Sequence, residues 1–546
     1  MSTFKPRLGI LIVLFLVFSQ AENMSQTVAF PGAEGYGSFA SGGRGGIVYP
    51  VTNLNDHGPG SFRYGIEELG EPRTIVFNVS GTIMLENRIK IQKSNVTIAG
   101  QTAPGDGITL ARYPFLINAN NVIVRFIRCR LGDQSGSDDD AVSINYGKNI
   151  ILDHVSASWS IDETLSCQSE SVDSLTVQWC MVTESLNDSH HAKGQHGYGG
   201  IIGSIRQSFH HNLYAHHKSR TPKVSWRRHC KVDFRNNVIY NWGSNNCYDG
   251  TSSYMNWANN YYKAGPATNS NVRKQIFDLS DENVGDYEMY ETSLYAEGNY
   301  VDGYPAVSEN NWNGGIKYNN GASETKNRAY DEHSFPLITE GSAEEIFPLV
   351  LDGAGASLVR DPIDIRIASE VKDGTAKYEG SKTGKPGLID SQTDVGGWPE
   401  LAVVHRGEDF DKDLDGMSDS WEIQNNLNPN DPEDRNDYSL DSEYTNLEVY
   451  LNWIIVKGGT TSLEDQAKIA NVKCFPNPAS NSFTIDLINM AEPIVRMYTF
   501  NGKLLFEQRV EKHNNKVQID GLQPGNYIVN VLGNNHEVLI EKVVIQ

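Results

Sequence analysis

The residues best suited to chemistry lie in two adjoining blocks of opposite charge. From Asp133 to Asp188 there are eleven Asp/Glu residues and one basic residue, Lys148. Between Asp188 and Asp233 there is no carboxylate, while Lys193, Arg206, Lys218, Arg220, Lys223, Arg227, Arg228 and Lys231 occur with eight of the 14 histidines. An acidic block offers oxygen ligands to a hard cation. A basic block attracts an anion. Side by side they suggest a metal bridged to a polyanionic substrate.

Within the acidic block, Ser137-Asp138-Asp139-Asp140 is followed by Asp162-Glu163. On a strand, Asp138 and Asp140 project to the same side, and Asp162 or Glu163 could face them from the next coil. A loop capped by Asp side chains is the plainer alternative. The histidines lack H-E-x-x-H spacing and have no carboxylate among them, so zinc is disfavoured. Several are expected to be satisfied core or turn side chains. No carboxylate lies in the segment around Arg220, so a guanidinium without a local partner is expected there.

A second acidic motif is sharper. Asp411-Lys-Asp413-Leu-Asp415-Gly416-Met-Ser-Asp-Ser-Trp-Glu422 matches D-x-D-x-D-G-x5-E at every position. Carboxylates at positions 1, 3 and 5 supply oxygens, the glycine permits the turn, and Glu422 can close the shell with both oxygens. This predicts Ca2+ on Asp411, Asp413, Asp415 and Glu422, in a structural role. Asp434 to Glu448 reads as a degenerate second loop.

The elements that must position these groups are short. Runs such as Asn95-Val-Thr-Ile-Ala, Asn121-Val-Ile-Val-Arg-Phe, Asn149-Ile-Ile-Leu-Asp, Leu175-Thr-Val-Gln-Trp and Val232-Asp-Phe-Arg-Asn recur. Turn positions align at Cys129, His154, Cys180, Asn212, Asn237, Asn260 and Asn299, with spacings of 25, 26, 32, 25, 23 and 39. A period near 25 with Asn at turns predicts an all-β chain built on a parallel β-helix, rather than a sandwich or propeller. Asn tolerates left-handed backbone angles and can bond to the Asn above it.

The expected organisation is a signal peptide over 1–21, a β-helix over 22–405, a short EF-hand-like calcium segment over 406–457, and a linker with a small β-sandwich over 458–546. Lys5 and Arg7, the apolar run Leu8 to Phe18 and Ser19-Gln20-Ala21 make the leader. That run is short for a bilayer span, and no other segment looks transmembrane. Residues 360–405 read as a tail packed back on the body, and Gly458-Gly-Thr-Thr-Ser462 as a linker. The six Cys are too sparse for a disulfide scaffold and are at least as readily buried thiols. A net charge of -22 and a pI near 5.1 argue against nucleic acid as partner.

Ala29-Phe-Pro-Gly-Ala-Glu-Gly-Tyr-Gly37, Val51-Thr-Asn-Leu-Asn-Asp56, Ile75-Val-Phe-Asn-Val-Ser-Gly-Thr-Ile83, Ala99-Gly-Gln-Thr-Ala-Pro-Gly105, Asp153-His154 and Arg220-Thr-Pro222 carry a resemblance. Over about residues 28 to 400 the chain resembles the pectate lyases of polysaccharide lyase family 1. The resemblance implies a right-handed parallel β-helix and calcium-dependent β-elimination of polygalacturonate. It implies metal ligands at Asp138, Asp140 and Asp162, with Ser166 standing where the family often has an Asp and Glu163 or water in its place. It implies a substrate-gripping lysine at Lys193 and a catalytic arginine at Arg220. The family's second arginine falls at Ser225, leaving Arg227 or Arg228 to compensate. Lys223, Arg227, Arg228 and His191 are the expected substrate-binding set.

The last ~75 residues resemble the type A sorting domain of the type IX secretion pathway, through Phe475-Pro-Asn-Pro478, Gly521-Leu-Gln-Pro-Gly-Asn-Tyr527 and the ending at Lys542. A secreted or cell-surface bacterial protein, handled by type IX machinery and acting as a monomer, is therefore expected. Three other readings stand beside the pectate lyase: a pectin lyase, a β-helix glycoside hydrolase, and a non-catalytic polysaccharide-binding β-helix.

Overall fold

Each short run carries two inward apolar positions two residues apart, which is what one wall of a β-solenoid needs. In the computed structural model these positions stack coil on coil. One column runs Val96, Val122, Ile150 and Leu175; the next runs Ile98, Val124, Leu152, Val177, Phe209, Phe234, Trp257 and Ala296. All of these side chains are fully buried in one continuous core. The structure describes residues 27–225, 230–283 and 290–456. Nearer the C-terminus it describes 474–475, 479–480, 482–485, 494–499, 504–509, 516–518, 525–532 and 538–545. The leader, Arg227, Arg228, the 458–462 linker and parts of the sorting-domain motifs lie outside these residues.

Three parallel walls close the coil. The first orders Ile47–Val51, Arg73–Phe77, Val96–Ala99, Val122–Arg125, Val142–Asp153, Val172–Gln178, Arg206–His210, Cys230–Arg235, Ser253–Ala258 and Ser293–Glu297. The second has nine strands, from Gly81–Met84 to Tyr300–Val301. The third orders Ile201–Ile202, Lys223–Val224, Cys247–Asp249, Phe277–Ser280 and Ile316–Asn319. After the opening pair Ile47–Val51 and Arg73–Phe77, strands adjacent in a wall are non-consecutive in the chain, and all pair in parallel, so the chain winds as a parallel β-helix, the fold the sequence predicts.

The predicted turn ladder is real, with two positions shifted. Asn212, Asn237, Asn260 and Asn299 stack through side-chain bonds of 2.9–3.0 Å, and Asn311 extends the stack. Cys180 joins by donating its backbone N–H to Asn212 Oδ1 at 2.8 Å. Upstream, the registers put Val155 and Ile127 in this column rather than His154 and Cys129. His154 belongs to the neighbouring column of left-handed corner residues, with Phe126, Trp179, His211, Asn236 and Asn259, at φ between 51° and 57°. There Phe126, His154, Trp179 and His211 stack their rings at 4.5, 6.0 and 4.4 Å.

Asn237 Oδ1 accepts from both the backbone and side chain of Asn212, and its own Nδ2 reaches Phe209 O and Asn260 Oδ1. Asn237→Ala is expected to lower unfolding free energy by about 3 kcal/mol or more, because several buried polar groups lose partners at once. An unchanged urea midpoint would show that the ladder carries no stability.

Cys129, Cys167, Cys180, Cys230 and Cys247 are buried and form no disulfide. The tail does pack back. Arg130, fully buried, binds Asp361 and Asp364 at 2.8 Å, and Asp361 also caps the helix Pro362–Asp373. Trp398 Nε1 donates to Arg130 O at 2.9 Å. Residues 406–456 lie along the first wall, where Met417, Trp421, Leu447, Tyr450, Leu451 and Ile454 form one cluster with Val76 and Ala99. The C-terminal region contains two antiparallel sheets, of three and four strands. No helix among the described residues is long and apolar enough to cross a membrane.

Candidate active site

Parallel register builds the site. Val142 pairs with Leu165, so Asp140, two residues earlier, falls opposite Glu163 on the next coil. Glu163 bridges in turn to Tyr198, and Tyr198 to Ser219, the neighbour of Arg220. One column thus brings acidic and basic blocks together across three coils. Asp140 Oδ1 accepts from Glu163 N at 3.1 Å and its Oδ2 from Ser143 Oγ at 2.8 Å. The backbone N–H groups of Ile161 and Asp162 donate to Asp139 O. Asp138 to Asp140 form a loop, not the strand that the alternation argument assumed. Coil-to-coil bonds, rather than strand pleating, aim their carboxylates.

Oxygens of Asp140, Asp162 and Glu163 lie within 4.8 Å of one another, close enough to share a cation. Burial pushes the Asp140 carboxyl up to about 7; the Ser143 hydroxyl opposes this and the charge on Asp162 adds to it. Carboxylates gathered in this way fit a hard cation that takes oxygen ligands. Asp138 stands at the rim, with Oδ2 accepting from Ala192 N at 3.1 Å and lying 4.0 Å from His191 Nε2. Lys193 is exposed on the same loop, its backbone N–H donating to His191 Nδ1 at 3.0 Å. His191 is buried, its ring stacked on His196 at 3.7 Å.

Arg220 overturns one expectation. Its guanidinium is paired with the buried Glu163, so it does have a carboxylate partner, from 57 residues away in the chain. It also lies over the Tyr198 ring, 4.2 Å from the centroid, and its Nε donates to the Tyr248 hydroxyl at 3.2 Å. Its backbone is left-handed, at φ 61°. Lys223 Nζ stands 3.5 Å from Asp249 Oδ2. Arg227 and Arg228 fall outside the described residues.

His196, Tyr198, Tyr248 and Asp249 were not singled out in the sequence. His196 Nε2 is 2.8 Å from Asp162 Oδ1, and burial lowers its basicity. Tyr198 lies 35 residues after Glu163 and 22 before Arg220, so a period near 25 does not mark it. Several of the described histidines are structural, as expected. His217, for example, bonds Ser185 Oγ at 2.7 Å and Val182 O at 2.8 Å. Burial holds it down at about 3.

The second acidic motif lies apart from this column, on residues 411–422. Oxygens of Asp411, Asp413 and Asp415 converge within 4.8 Å. Asp411 accepts from the backbone N–H groups of Asp415 and Gly416 at 3.1 and 3.0 Å, wrapping the turn. Burial, reinforced by neighbouring carboxylates, pushes both Asp415 and Glu422 up to about 8.

Residues 473–546 match the secretion system C-terminal sorting domain, marking an exported protein, secreted or held at the cell surface. Among solved structures, the thermostable pectate lyase PL 47 aligns over 62% of this chain and 99% of its own, at 16% identity and a TM-score of 0.40. The chain is 35% identical over 461 residues to a probable pectate lyase C of Aspergillus terreus, across 82% of this chain and 99% of that protein. It is 37% identical over 440 residues to the probable pectate lyase C of Aspergillus flavus, across 79% and 95%. On that identity and that coverage, the chain belongs to the pectate lyase family of polysaccharide lyases.

Proposed function

We propose that the column from Asp140 to Arg220 cleaves polygalacturonate by calcium-assisted β-elimination, leaving 4,5-unsaturated oligogalacturonates. The observation that carries this reading is the meeting of the Asp140, Asp162 and Glu163 carboxylates with the Arg220 guanidinium. Asp140, Asp162 and Glu163, with Asp138 at the rim, are the residues that would hold calcium. When bound, the ion supplies charge stabilisation to the galacturonate carboxylate beside C5.

The chain's own groups then have separate tasks. Lys193, exposed at the rim, grips a substrate carboxylate oxygen. Lys223, Arg227, Arg228 and His191 complete the proposed substrate-binding set. With a cation bound, Glu163 would hold it in place of Arg220, which would leave the guanidinium free to face C5. Arg220 takes the C5 proton, the electron pair forms the C4–C5 double bond, and the C4–O bond breaks with the glycosidic oxygen taking a proton from water. Arginine is ordinarily protonated, so this step requires a deprotonated guanidinium and should favour alkaline conditions. Type IX machinery would export the chain, and the lyase would act as a monomer.

Product chemistry tests the reading. Incubation with polygalacturonate should give ultraviolet-absorbing unsaturated ends, with calcium present, and little release from highly methyl-esterified pectin. Saturated reducing ends would support a hydrolase with an acid and base carboxylate pair. Preference for the methyl ester would support a pectin lyase, and binding without turnover a non-catalytic β-helix.

A further inference from the structure

A carboxylate from outside the 411–422 motif meets it. Asp434, in the short turn Asp434–Asn436, brings an oxygen within 4.8 Å of oxygens of Asp415 and Glu422. Asp415 and Glu422 are fully buried. Both Glu422 oxygens, Asp415 Oδ2 and Asp434 Oδ1 are shielded from solvent and accept no hydrogen bond. Among the described residues, no Lys or Arg nitrogen lies within 4.0 Å of these three carboxylates; Lys412 turns away to Asp419 at 3.0 Å and Arg435 to Glu433 at 3.5 Å. The other oxygens of Asp415 and Asp434 accept from Met417 N at 2.8 Å and Asn428 N at 2.9 Å; Glu422 has neither cation nor donor on either oxygen, which is strongly unfavourable for a buried carboxylate. A bound cation resolves the arrangement, and an all-carboxylate shell with a Glu able to bind through both oxygens suits calcium.

Both sides of this knot press on the coil. Gly416, at φ +94°, sits so close to the first wall that a Cβ there would lie 2.9 Å from Val48 Cγ1. On the other side, Asp434 O accepts from Asn446 Nδ2 at 2.8 Å, tying the turn to the start of the helix Asn446–Val456. That helix is bonded to the coil through Glu448 with Arg44 at 2.8 Å and Asn452 with Arg125 at 3.0 Å. Loop and helix thus approach the coil separately, and Asp434 lies where they meet.

We propose that Asp434 is a ligand of a calcium ion shared with Asp411, Asp413, Asp415 and Glu422, so that the ion clasps residues 406–456 onto the first wall of the β-helix. The motif assigns four ligands inside one loop; the structure adds a fifth from a turn 12 residues beyond Glu422. The ion then does more than shape its own loop. It locks the loop to the helix that seals Val76 and Ala99. This assignment stands whether or not the lyase reading holds.

Terbium is the probe, in the full chain, excited through Trp421 beside Glu422. Asp434→Asn is expected to weaken terbium binding, and its displacement by calcium, by about tenfold or more. Its melting temperature in calcium should fall by about 2 °C relative to the unaltered chain, with the two converging in chelator. Asp162→Asn, at the other acidic site, should leave the sensitised signal in place. Equal terbium affinity and an equal calcium-induced melting shift in Asp434→Asn would overturn the assignment. The unaltered chain provides a measurement that needs no variant: limited proteolysis should cut within 406–456 faster in chelator than in calcium. Equal cutting would remove the clasp.

Discussion

Arg220→Lys is expected to lose about two or more orders of magnitude in formation of the unsaturated product, the scale of removing a positioned proton-transfer group. The structure makes this substitution more severe than a change of reach. Arg220 makes three contacts with one planar group: Glu163, the Tyr198 face and the Tyr248 hydroxyl. A lysine ammonium keeps the charge but cannot reproduce that set. The fold and some polygalacturonate binding should survive, since the inward core columns do not include this side chain. A competing reading makes Arg220 a mere counter-charge for the buried Glu163. On that reading lysine restores most of the rate, because it restores the charge. Product absorbance measured beside substrate binding separates the two, and near-normal turnover by Arg220→Lys removes Arg220 from the role of base.

The Glu163 pair also shows where sequence reading stops. The Asn ladder was legible because one residue type recurs at one place in each coil, and repetition survives a small error of register. Val155 and Ile127 were missed because the corner has two adjacent columns, and His154 belongs to the other one. Aromatic rings fill that column upstream and Asn fills it downstream, so residue type did not mark it. Glu163 and Arg220 lie 57 residues apart, separated by coils of unequal length. No local pattern announces such a contact; it appears once the bridges Glu163 to Tyr198 and Tyr198 to Ser219 set the register. The 411–422 motif was legible because its carboxylates are local in sequence. The approach of Asp434 to that motif was not: the sequence placed Asp434 in a degenerate second loop of its own, and its turn has no fixed spacing to the first.

Calcium removal is the second large effect. Chelation is expected to abolish turnover of polygalacturonate, and added calcium to restore it. The two acidic sites make this experiment ambiguous unless they are separated. The 411–422 site is buried against the first wall, so its loss should appear as instability. The Asp140, Asp162 and Glu163 site adjoins Arg220, so its loss should appear as lost turnover in a folded chain. Asp162→Asn isolates the second case. It keeps shape and hydrogen-bonding capacity but removes a charge from the cluster, and is expected to cost about a hundredfold in rate at low calcium. Raising calcium should recover part of that loss by mass action, while the melting temperature stays close to that of the unaltered chain. Rate against calcium concentration, with melting measured in parallel, gives both answers. Full activity in excess chelator, by a chain that remains folded, would end the calcium mechanism and return the choice to a hydrolase or a pectin lyase. Loss of rate in Asp162→Asn that calcium cannot relieve at all would instead leave Asp162 holding His196, at 2.8 Å, rather than a metal.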